Sequence, residues 1–143
     1  MKVKVINKFF SDLIFADLYA TQKLVYDPAK FNYSQLLIEE ENAKYGGCTF
    51  NLNNLCIRFR VAKITPKKTG QFVTLWQRIG KSPAPFDLSG TVDFFVISAR
   101  CENLFGQFVF PKAVLREKGV LSENGKGGKM AIRVYPPWNK TVS

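Results

Sequence analysis

Four arginines fall in segments that read as strand: Arg58 and Arg60 in "IRFRVAK", Arg78 in "FVTLWQR" and Arg133 in "AIRVY". A strand sends successive side chains to opposite faces. Ile57, Phe59 and Val61 therefore share one side of the first segment, and Arg58, Arg60 and Ala62 share the other. The same parity sets Arg133 and Tyr135 opposite Ile132 and Val134, and groups Phe72, Thr74, Trp76 and Arg78. Where such strands are neighbours, one sheet face or its rim carries Arg58, Arg60, Arg78 and Arg133 interleaved with Trp76 and Tyr135. Guanidinium forks bind phosphate oxygens in pairs, and aromatic rings stack on bases, each stacked base contributing roughly 1–3 kcal/mol. That chemistry suits a nucleic-acid or nucleotide surface. The intramolecular alternative is pairing across space with Glu39, Glu40 and Glu41, because a buried guanidinium without a partner is costly.

Lysines extend the pattern. "ITPKKTG" reads as a turn with Lys67 and Lys68 at its tip, positioned to contact a phosphate backbone without reading sequence. "ENGKGGKM" matches neither GxxxxGK[ST] nor GxGxxG, although its glycines with Lys126 and Lys129 can wrap an anion. The charge distribution agrees. Residues 1–50 hold six lysines against six acids, whereas residues 51–143 hold fifteen Lys or Arg against five acids, so the net +10 resides in the second part. Such asymmetry points to an anionic partner, most often nucleic acid.

The sequence contains no histidine, which excludes Ser-His-Asp and Cys-His nucleophiles and His-ligated zinc. Cys48, Cys56 and Cys101 lack CxxC spacing and read as buried thiols. An enzymatic alternative is a divergent metal-dependent nuclease or nucleotide-processing enzyme, with Glu41 and Lys63 as catalytic residues. In PD-(D/E)XK nucleases a helix Glu, a strand Asp and an acid-x-Lys serve a divalent metal. Glu41 and the Lys63 of "RVAK" echo that order, but Arg60 and Val61 stand where acids are needed. No cofactor is expected for a binding module, and a divalent metal only for the enzyme.

The elements that must position these groups are read from periodicity. Phe10, Leu13, Ile14 and Leu18 form a helical stripe, and a second helix is expected through "QLLIEEENAK" to the glycines at 46–47. Thereafter the period is two. "CTFNL" and "CIRFRVAK" flank a tight "NN" hairpin, and "QFVTLWQRI" is one strand. "SPAPFDLSG" is a loop. "TVDFFVISA" and "LFGQFVF" are apolar on both faces, as central strands are. "PKAVLREKG" is a short helix, and "MAIRVY" the last strand before "PPW". The expected class is α+β: N-terminal helices packed on a mixed, mainly antiparallel sheet with one further short helix, in a single domain over 1–143. Residues 1–47 form a helical front, and 48–138 a strand-rich basic body.

The runs "ENAKYGGCTFNL", "FRVAKITPKKTGQFVTLWQR", "GQFVFPKAVL" and "AIRVYPPW" resemble the MepB family, small bacterial proteins of which one is encoded beside a multidrug efflux pump and its regulator in staphylococci. The resemblance covers most of Glu41 to Trp138. It implies a bacterial, cytoplasmic, one-domain protein with a link to drug response through that operon, and it transfers no catalytic residues. Function is therefore argued from charge and from the Arg/aromatic strand faces. The expected activity is nucleic-acid binding with little sequence specificity, through Arg58, Arg60, Lys63, Lys67, Lys68, Trp76, Arg78, Lys129, Arg133 and Tyr135. An acidic protein is the alternative partner, and no membrane association is expected.

Overall fold

Asn53 and Asn54 take φ values of 48° and 69°, the left-handed region that Asn enters more readily than most residues. Two consecutive positive φ values make a hairpin turn whose twist matches its flanking strands. The turn joins β3 (Cys48–Leu52) to β4 (Leu55–Val61) in antiparallel register, with Cys48 opposite Phe59. The expected hairpin forms. The structure, a computed structural model, describes the backbone of Val3–Ile6 together with residues 16–34, 36–39 and 45–139.

β4 lies inside the larger sheet. It pairs in parallel with β9 (Phe94–Cys101), which pairs antiparallel with β10 (Leu104–Pro111). With β1 (Val3–Ile6) and β2 (Leu36–Glu39), the order is β1-β2-β3-β4-β9-β10, a six-stranded mixed sheet. β9 is central and buried on both faces, as its apolar run requires. β10 is expected to be central too, yet among the described residues it is an edge strand, as β1 is at the other end. Its Phe108 and Phe110 pack against the core, while Leu104 and Val109 are exposed. An apolar run reports what covers the faces of a strand and leaves its lateral neighbours undetermined.

One face is covered by α1 (Ala16–Thr21) and a π-helical turn (Gln22–Tyr26). Leu18 and Tyr26 pack there on Leu36, Cys48, Phe50, Ile57, Phe59 and Val96. The first front helix is thus present over its last residues. The second is not: Leu36–Glu39 is strand β2, pairing with β1 and β3. Leu36 and Ile38 turn toward α1 and Glu39 toward the opposite face, so sheet pairing overrides the helix propensity of Leu and Glu. The remainder of that predicted helix, residues 40–44, and the first helix's residues 10–15 lie outside the described residues.

The other face carries a three-stranded antiparallel sheet, β11 (Ala131–Val134), β6 (Lys68–Thr74) and β5 (Lys63–Thr65). Beside it sits α2 (Lys112–Glu117), which starts after Pro111 and is followed by Gly119 at φ 71°. "QFVTLWQRI" divides at Leu75, whose N–H bonds the Met130 carbonyl. Beyond it β7 (Trp76–Ile79) pairs with β8 (Ser82–Pro85), a strand drawn from the segment expected to be loop. Val73, Leu75, Phe86, Phe95, Ile97, Leu115 and Val134 form the core between the sheets. The class is α+β as expected. No helix among the described residues is long and apolar enough to cross a membrane.

Candidate nucleic-acid interface

The alternation along β4 holds: Ile57 and Phe59 turn toward α1, and Arg58 and Arg60 away from it. That second side is closed. The side chain of Arg60 is 0% exposed and that of Arg58 11%, and both pair with the carboxylate of Glu39, itself 1% exposed. The Arg60 Nη1 stands 2.5 Å from Glu39 Oε2, and Arg58 Nη1 donates to Oε1. The Phe86 ring lies against both guanidiniums, centred 4.8 Å from that of Arg58 and 5.9 Å from that of Arg60. Burial and the Arg60 charge lower the pKa of Arg58 to about 10, which leaves it charged at neutral pH. The expectation that these two arginines face solvent is therefore corrected. They lie between the sheets because the small sheet and Phe86 cover the face they occupy, and Glu39 supplies the carboxylate that burial demands.

The open basic face is the outer side of the small sheet. Lys63 of β5 and Arg133 of β11 are both register partners of Phe72 in β6, so the three form one row across three strands. Tyr45 packs edge-on against Phe72, with ring centroids 6.2 Å apart. The Lys63 ammonium stands 5.1 Å from the Tyr45 centroid, and the Arg133 guanidinium 5.9 Å from that of Phe72. Cations over ring faces are held by the ring quadrupole. Arg133 Nη1 also donates to Thr65 Oγ1 at 2.9 Å, which fixes the arm. The ring of the exposed Tyr135 lies over Gly70, where a Cβ would come within 2.7 Å of it. Lys67 and Lys68 are exposed at the β5–β6 turn. Among the described residues, no carboxylate forms an ion pair with Lys63, Lys67, Lys68 or Arg133.

The other predicted residues are dispersed. Trp76 and Arg78 sit on the β7–β8 ribbon, the guanidinium 5.5 Å from the indole, and Arg78 donates to the Lys81 carbonyl. Lys129 borders an apolar groove of about 550 Å³ between β10, α2 and β11, which Arg133 and Tyr135 also line. Lys63 opens β5 in the small sheet rather than closing β4. Glu41 lies outside the described residues, and among those described no three Asp, Glu or Cys cluster as a metal site would require. Sequence reasoning grouped Phe72 with Thr74 and Trp76 but missed its place between Lys63 and Arg133, and it missed Tyr45 altogether. Only the register of β5 and β11 on β6 reveals that row.

Fold and face together define a small α+β protein that displays a cation-flanked aromatic row on a secondary sheet. The family model of MepB-like proteins matches residues 39–143, and the chain belongs to that family. It is similar to a solved crystal structure of MepB, with 34% identity and a TM-score of 0.72 over 84% of this chain and 83% of that one. Comparison with curated proteins gives no match.

Proposed function

We propose that the protein binds nucleic acid on the outer face of the β5-β6-β11 sheet, with little sequence preference. The observation that carries this reading is the Lys63–Phe72–Arg133 row, whose cations have no carboxylate partner among the described residues. Lys67 and Lys68 extend the row with two further phosphate contacts, and contacts to phosphate position a strand without reading it. Tyr135, 49% exposed, offers a ring for stacking.

The test is fluorescence anisotropy with labelled single- and double-stranded DNA and RNA over a salt series. The log–log slope of affinity against salt is expected near −0.9 per phosphate neutralised on duplex. Replacing Lys67 and Lys68 together by Ala is expected to flatten it by about two such contacts. Tyr135→Ala is expected to weaken single-strand binding by roughly 1–3 kcal/mol while hardly changing the slope. Binding that persists with an unaltered slope in the Lys63, Lys67, Lys68 and Arg133 alanine variants refutes this placement.

A further inference from the structure

A second feature lies apart from the basic face. Between β4, the start of β7, the 86–92 segment and the first residue of α2 is a pocket of about 260 Å³. Arg58, Gln77, Phe86, Gly90, Thr91 and Lys112 contribute to its walls. Two cations meet there, and each has donor capacity left over. Arg58 divides the single carboxylate of Glu39 with Arg60, and its Nε is buried with no hydrogen-bond partner. A buried donor left unused is costly, more so on a charged group. The Lys112 ammonium donates to the carbonyls of Leu88 and Gly90, which uses two of its three protons. The pocket's acid, Asp87, is occupied within its own loops: it accepts from Ser89 N and Oγ, Ser122 Oγ and Gly125 N. Its charge is thereby spread over four donors instead of compensating Arg58 or Lys112.

From this geometry we infer that the pocket binds a small oxyanion of the phosphate class. Arg58, held against Phe86, supplies one charge from the β4 side, and Lys112 supplies a second from the α2 side. A guanidinium with an ammonium is the donor set that tetrahedral phosphate oxygens take. The enclosed volume admits a phosphate with at most a small substituent, so a strand lying on the outer face of the small sheet is not its occupant. Free phosphate and a phosphomonoester share the recognising chemistry.

The experiment is calorimetric titration of the full chain with inorganic phosphate against chloride at matched ionic strength, repeated with methyl phosphate as a small phosphomonoester. Saturable binding is expected, with a melting temperature that rises with phosphate concentration. Lys112→Met is expected to raise the phosphate Kd about tenfold by removing one charge-assisted contact. Arg58→Met is expected to abolish binding. Should that variant fail to fold, Lys112→Met carries the test. The Lys67/Lys68 alanine pair is expected to leave the phosphate Kd within about twofold, which separates this site from the outer face. Tighter binding of methyl phosphate, with the same loss in Lys112→Met, identifies an ester as the occupant; equal or weaker binding identifies the free ion. No saturable phosphate binding at millimolar concentrations, or a Kd unchanged by Lys112→Met, overturns the proposal.

Discussion

Replacing Glu39 by Gln tests the arrangement that removes two arginines from the surface. The substitution keeps the volume and one carbonyl acceptor but removes the charge and turns an amide N–H₂ toward guanidinium donors. Glu39 is 1% exposed and its partners 0% and 11%, so water cannot take the place of the lost carboxylate. Breaking a buried pair by deleting one partner costs about 3–5 kcal/mol. Two lost charge-assisted bonds at roughly 1.5–3 kcal/mol each give the same range. Against a total stability of about 5–15 kcal/mol the loss is large, and at about 2–4 °C per kcal/mol it lowers the melting temperature by roughly 10 °C. Urea unfolding, read as a shift in midpoint at constant m, measures it. The triple change Glu39→Leu, Arg58→Met, Arg60→Met serves as the companion, because apolar replacement of a whole buried ion cluster is commonly neutral or stabilising. A Glu39→Gln loss below about 1 kcal/mol would show that Arg58 and Arg60 do not depend on this carboxylate.

Two further predictions concern single positions. Gly70→Ala is expected to destabilise by about 2 kcal/mol or more, since φ there is 86° and the added Cβ would meet the Tyr135 ring at 2.7 Å and the Val134 carbonyl at 2.9 Å; a urea midpoint equal to wild type contradicts it. The hydrogen bonds from Ser89, Ser122 and Gly125 hold the Asp87 carboxyl well below the usual carboxylate range. A carboxyl depressed by folding contributes stability above its unfolded pKa of about 4, and that contribution is lost as pH falls further. Urea midpoints measured from pH 6 to pH 2 are expected to fall less steeply for Asp87→Asn than for wild type, and parallel curves would remove Asp87 from the acid response.

What could be read from the chain was local. The paired asparagines, the period of two in β3 and β4, the apolar run of β9 and the Pro-to-Gly frame of α2 each depend on a few neighbouring residues. Parity along β4 also held, because it belongs to the strand alone. Which of its sides would be covered was a matter of distant packing: Phe86 and the small sheet close over Arg58 and Arg60. Pairing across space with Glu39, Glu40 or Glu41 is the intramolecular alternative, and Glu39 fills that role from a segment that reads as helical. "QLLIE" carries good helix formers, and only its pairing with β1 and β3 makes it a strand. The Lys63–Phe72–Arg133 row was hidden for the same reason, since its members meet through registers that no spacing encodes.

A single residue, Ala62, separates β4 in one sheet from β5 in the other, and its N–H is tied to the Ser98 carbonyl at 2.9 Å. A joint that short, clamped to a central strand, leaves no slack for the outer layer to swing on its support. The proposed nucleic-acid ligand would then meet a preorganised platform and lose little affinity to ordering it.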